Sequence, residues 1–283
     1  LFISFILNSI QNNNSKIKGG NKMGKEKMML AYKQMGESKC ETTLVFLHGS
    51  TMTKEEMIPV AKTFEEYNCI CLDLTVHGES KGEMPKCIGD IAEDVEYTIT
   101  QLRADNIIGQ KMILLGYSMG GAIVCEIALR KKIQCNGIVF LSSGADLVHY
   151  TPAVDQLKTI LPMDFRVEDI VDALFGNIVE GFDKEKIKNM FLEYCVSSEI
   201  GYNDLMISNA YDCLDKVKKI ECPALIVHGN EDAIILPEAA IQTWKAIEKS
   251  QILLVPYGGH ALIYEDTKIV TDTVKRFLGD IGM

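Results

Sequence analysis

The stretch KMILLGYSMGGA, residues 111–122, decides the fold. KMILL is a short apolar run that reads as a buried strand and ends at Gly116. From Met119 the pattern turns helical, through GGAIVCEIALR to Lys132, and opens on small residues. A strand passing into a helix through so tight a turn forces Ser118 into a strained backbone, with its hydroxyl projecting from the end of the strand. Glycine two positions away on either side, Gly116 and Gly120, leaves room for strand and helix to approach. The five-residue pattern G-x-S-x-G arises by chance in roughly one chain in ten of this length. Its strand-before, helix-after context is therefore what gives it weight.

Working outward, the same alternation repeats. Met28 to Gly36 suits a first strand, and TTLVFL (42–47) a buried strand ending at His48-Gly49. Lys54 to Tyr67 reads as a helix, and NCICLDL (68–74) as another buried strand. Ile88, Ile91, Ala92, Val95, Ile99 and Leu102 share one helical face. GIVFL (137–141) is the next strand. From about Ala145 to Asp215 only helical patterns occur: Val154–Leu161, Val167–Phe175, Lys184–Tyr194 and Tyr202–Tyr211. Alternation resumes with ALIV (224–227), a helix over Pro237–Glu248, QILLV (251–255) and a last helix over Asp266–Leu278. Short apolar strands alternating with helices predict an α/β fold: a doubly wound, mostly parallel sheet with helices on both faces. Residues 23–144 and 216–283 form the core, and residues 145–215 a helical insertion.

Composition narrows the function. The chain has 283 residues, 47% hydrophobic, with 39 acidic against 29 basic side chains and a formal charge of −10. Such a surface repels phosphate backbones and anionic lipid, which disfavours nucleic-acid partners and stable membrane association. Nine cysteines, several inside apolar runs, fit reduced thiols and a cytoplasmic location better than a disulfide framework. Cys69 and Cys71 share a strand face, but no second pair completes a metal site. Residues 1–22 begin with an apolar run too short to span a membrane, followed by an Asn-rich stretch. Lys18-Gly19-Gly20, two codons before Met23, can be a translated ribosome-binding sequence. The tail is expected to be translated upstream DNA of a bacterial source, or a disordered segment.

A hydroxyl is a weak nucleophile near neutral pH, so Ser118 needs a base. Of the five histidines, His260 is placed best, in a glycine turn past the strand QILLVP. His48 and His228 also follow strands, His77 lies in a loop, and His149 stands at the start of the insertion. An imidazole base needs a carboxylate to fix its tautomer. Asp232, just past ALIVHG, is preferred over Asp146 and over the adjacent Glu231. Charge developing on a carbonyl oxygen needs donors. The backbone N–H of Met119 supplies one, and that of Ser50, in the loop after TTLVFL, the other.

Four blocks carry a family resemblance: LVFLHGS (44–50), LDLTVHGES (72–80), LLGYSMGGA (114–122), and the pair LIVHGNED (225–232) with GGHALIYE (258–265). They resemble the α/β-hydrolase superfamily, in its capped esterase, lactonase and C–C hydrolase branch. The resemblance implies a catalytic triad of Ser118, Asp232 and His260, oxyanion donors at Ser50 and Met119, a cap formed by the insertion, a small-molecule substrate, and no metal or organic cofactor. The implied activity is hydrolysis of a small or medium carboxylic ester, lactone or thioester through an acyl-enzyme. Two alternatives stay open: a C–C hydrolase or lyase using the same triad, and a non-hydrolytic ligand-binding receptor. Val76 stands where the family usually has glycine, and Ala122 where lyase-type members usually have arginine. Dehalogenases and epoxide hydrolases put aspartate at the position of Ser118. Oligomeric state is not legible.

Overall fold

The structure is a computed structural model that describes residues 27–152, 162–166, 171–176 and 183–283. The tail 1–22, the helical pattern Val154–Leu161 and the first part of Val167–Phe175 fall outside these residues.

Seven strands form one sheet: β1 (Tyr32–Gly36), β2 (Thr42–Leu47), β3 (Asn68–Leu72), β4 (Lys111–Tyr117), β5 (Gly137–Leu141), β6 (Ala224–Gly229) and β7 (Ser250–Val255), in the spatial order β1-β3-β2-β4-β5-β6-β7. Only β1 runs antiparallel, against β3. The helices are α1 (Ile58–Ala61), α2 (Ile88–Ala104), α3 (Met119–Arg130), α4 (Lys184–Tyr194), α5 (Ser198–Ser208), α6 (Pro237–Ala246), α7 (Leu262–Glu265) and α8 (Thr267–Asp280). The doubly wound α/β reading therefore holds.

Central strands are apolar without interruption because both sheet faces are covered. In β2, Val45 and Leu47 pack into one core beneath α2 and α3, while Leu44 and Phe46 enter the other core with Phe64 and Phe277. Successive side chains point to opposite faces, so each needs an apolar neighbour of its own. Each fully buried large side chain contributes roughly 1.5–3 kcal/mol.

Three elements depart from expectation, one of them α5, which runs over Ser198–Ser208 instead of Tyr202–Tyr211. Lys54–Tyr67 is not one helix but a 3-10 turn at Lys54–Glu56, the four-residue α1, and further turns. Tertiary anchors override helical periodicity here: both Lys54 N–H and Lys54 Nζ are bound to Asp73, and Glu56 is turned inward to the Gly49 N–H. The first strand starts at Tyr32, not Met28, because the N–H groups of Leu30 and Ala31 go to the hydroxyls of Thr98 and Ser80 instead of a ladder.

Parallel register sets the site. Leu47 lies beside Gly116, Tyr117 beside Leu141, and Leu141 beside Val227. The loops leaving β2, β4, β5 and β6 thus emerge at one edge of the sheet. The long excursion between β5 and β6 carries α4 and α5, and its residues Leu174, Phe191 and Leu205 reach the same edge.

Candidate active site

Ser118 lies between β4 and α3 with φ 52° and ψ −119°, a left-handed conformation that only a tightly constrained turn imposes on a non-glycine residue. Side chains at Gly116, Gly120 or Gly121 would run into Gly120 O, Leu47 O and Ser143 Oγ respectively. Ser143 Oγ donates to Ser118 O at 2.7 Å and helps hold the turn.

The Ser118 hydroxyl is 3.0 Å from His260 Nε2, and His260 Nδ1 is 2.8 Å from Asp232 Oδ2. With the ring proton on Nδ1 donated to Asp232, Nε2 is free to accept from Ser118. All three residues are buried, with Ser118 the most open at 9%. Asp232 is itself fixed, since its Oδ1 accepts the N–H groups of Ile234 and Ile235, each at 2.9 Å. Burial opposes ionisation, yet His260 and His228 hold the Asp232 carboxyl well below the usual carboxylate range. Asp146 is elsewhere: it binds His149 Nδ1 at 2.9 Å and pairs with Asp212. The Glu231 N–H donates to Gly258 O, which places it in the same turn without displacing Asp232 from His260.

Ser118 and His260 open into a cavity walled by Gly49, Ser50, Thr51, Glu56, Tyr117, Leu174, Phe191, Leu205 and Ile234. The turn after β2 borders it and is tied on both sides of Ser50. Gly49 N–H donates to Glu56 Oε2 at 2.6 Å, and Thr51 N–H to Asp204 Oδ2 at 2.9 Å. Among the described residues, neither the Ser50 N–H nor the Met119 N–H has a hydrogen-bond partner.

Several residues of the site were not singled out from sequence. Burial pushes the Glu56 carboxyl up to about 8, although Gly49 N–H favours its ionised form. Asp204, on α5, also accepts from His77 Nε2 at 2.8 Å, and both side chains are fully buried. Burial lowers the affinity of the His77 ring for a proton, but Asp204 outweighs it and raises the pKa. Tyr117 OH donates to the His260 carbonyl at 3.1 Å, and Glu265 accepts from Gly259 N–H and Gly176 N–H, each at 2.6 Å, so the histidine turn is held from two directions. The position of Tyr117 inside G-Y-S-M-G was a usable signal. Glu56 and Asp204 sit in no motif. Val76, where the family favours glycine, adopts φ 64°, a costly conformation for a β-branched residue.

Cys69 and Cys71 are buried in the core and take part in no cluster of metal-ligating side chains among the described residues. The same residues hold no helix long and apolar enough to cross a membrane.

Known proteins share this architecture. Residues 38–267 match the Hydrolase_4 family, described as serine aminopeptidase, S33. A lipase-esterase related protein from Clostridium acetobutylicum superposes with a TM-score of 0.78 at 30% identity, over 88% of this chain and 100% of that one. A pimeloyl-(acyl-carrier protein) methyl ester esterase from Nitrosospira multiformis is 24% identical over 251 residues, 82% of this chain and 93% of the relative. A 2-hydroxy-6-oxo-6-(2'-aminophenyl)hexa-2,4-dienoic acid hydrolase from Metapseudomonas resinovorans is 22% identical over 261 residues, 83% of each chain. The chain belongs to the serine aminopeptidase S33 family of the α/β-hydrolase superfamily, and it is a hydrolase.

Proposed function

We propose that the protein cleaves a small or medium carboxylic ester, or a related lactone or thioester, through an acyl-enzyme on Ser118. The observation that carries this reading is the unbroken line from Asp232 through His260 to Ser118, ending at a cavity that Ser50 also lines. Ser118 Oγ attacks the acyl carbon as His260 Nε2 takes its proton, and Asp232 stabilises the imidazolium. The Ser50 and Met119 N–H groups receive the developing oxyanion; losing one such donor typically costs ~3–4 kcal/mol in the transition state. His260 then protonates the leaving group, and water, deprotonated by His260, releases the acid.

The segment 145–215 acts as the cap over the core formed by residues 23–144 and 216–283. Its Leu174, Phe191 and Leu205, with Ile234, supply an apolar wall that suits an aliphatic or aromatic acyl group. Nine free thiols fit a reducing, cytoplasmic setting.

A fluorophosphonate probe is expected to label the wild-type chain and not the Ser118→Ala variant. Unlabelled wild type, or equal labelling of the variant, sinks the proposal. Asp232→Asn should lower kcat on p-nitrophenyl esters by roughly three to four orders of magnitude in protein whose circular dichroism shows it still folded. Turnover of a diketone in place of these esters would point to the C–C hydrolase reading, which uses the same groups.

A further inference from the structure

Away from the cavity that holds Ser118, two pairs of thiols join the same two stretches of chain. Cys125 Sγ is 3.4 Å from Cys213 Sγ, and Cys135 Sγ is 3.8 Å from Cys222 Sγ. The first member of each pair belongs to α3 or the turn after it, and the second to the return path toward β6. Access separates the pairs. Cys125 and Cys213 are buried, whereas Cys135 and Cys222 are half-buried and line a surface cavity with Ala128, Lys131, Ile133 and Glu221.

The backbones beside the accessible pair are already at sheet spacing. Cys135 lies just before β5 and Cys222 just before β6. The first rung between these strands is Ile138 with Ala224, reinforced by Ile138 N–H donating to Pro223 O at 3.0 Å. Beside this rung the two sulfurs lie 3.8 Å apart, within reach of a disulfide with its S–S bond of ~2.05 Å.

We propose that Cys135 and Cys222 form a redox modification site that closes to an intramolecular disulfide by exchange with a low-molecular-weight disulfide of the glutathione class. Cys135 reacts first. The hydrogen bond between the two sulfurs and the positive charge of the Arg103 guanidinium, which is bound to the Gln134 carbonyl at 2.7 Å, overcome burial and hold the Cys135 thiol below its ordinary value. The Cys135 thiolate attacks one sulfur of the small disulfide, whose S–S bond breaks and releases one thiolate. Cys222 then gives its proton to solvent and attacks the Cys135 sulfur, expelling the second small thiolate. The two cysteines lose two electrons and two protons. The small disulfide gains both and leaves as two thiols.

This bond forms at the end of β5 and β6 opposite the Ser118 turn and links positions 87 apart in sequence. It shortens the loops open to the unfolded chain, so it raises Tm while leaving ester turnover unchanged.

The test incubates the full chain with excess oxidised glutathione, followed by alkylation, intact mass and non-reducing peptide mapping. Wild type is expected to lose two hydrogens, to yield a peptide joining Cys135 to Cys222, to melt several degrees higher, and to revert with dithiothreitol. Cys222→Ser is expected to retain one glutathione on Cys135. Wild type that keeps both thiols, stops at a stable mixed disulfide on Cys135, or forms its bond between other cysteines overturns the proposal.

Discussion

Glu56 and Asp232 are both buried carboxyls beside the same cavity, and their surroundings drive them in opposite directions. Glu56 has a single backbone N–H to favour its charge, and burial takes its pKa from the ordinary 4.5 to about 8. Between those values the unfolded chain has released the proton while the folded chain still holds it. Each unit of rising pH in that window therefore removes up to about 1.4 kcal/mol of stability. Glu56→Gln keeps an oxygen for Gly49 N–H and removes the titration. Thermal melts across a pH series should show an advantage for E56Q that grows from pH 5 to pH 8 and vanishes below 4.5. Asp232 has the opposite sign. Its folded pKa is depressed, so its contribution is present above the unfolded value and is lost as pH falls toward the folded one. Ser118, Asp232 and His260 were legible because each follows a strand in a short recognisable string. Glu56 was not, because its importance comes from folding back onto Gly49 across a broken helix.

At the scale of elements, the described part of the excursion between β5 and β6 contributes contacts to the site. On α5, Asp204 holds the Thr51 N–H and the His77 ring. Val196 N–H, between α4 and α5, donates to Thr51 O at 2.8 Å. Asp204→Ala would leave a buried N–H and a buried imidazole without their acceptor, at roughly 1–3 kcal/mol each. The expected result is a drop of about 2–6 kcal/mol in denaturant-measured stability, with kcat on a short ester falling more than KM rises. An unchanged kcat would show that the turn keeps its shape without the acid. The positions of β2 to β6 were legible, since a strand buried on both faces is written as a short apolar run, whereas the start of the half-exposed β1 was not. The segment 54–67 was not. Its apolar residues are spaced for a helix, but the inward pull on Lys54 and Glu56 comes from Asp73 and Gly49, which are distant in sequence. The contacts from α5 to the turn at Ser50 were hidden for the same reason.

For the molecule as a whole, the excess of ten negative charges sets a long-range field that salt screens. An anionic ester should be turned over more slowly than a neutral one of equal acyl length at low ionic strength. The ratio of their kcat/KM values should rise several-fold between about 20 mM and about 500 mM NaCl. A ratio that does not move would confine the charge to surfaces remote from the cavity. The crowding at Gly116, Gly120 and Gly121 bears on how such a molecule changes over generations. Where no atom can be added, variation is purged, so the turn is closed to innovation except by exchange of residue 118 itself. New specificities have more room in the other residues that wall the cavity, among them Leu174, Phe191 and Leu205 between β5 and β6, while the sheet beneath is inherited intact.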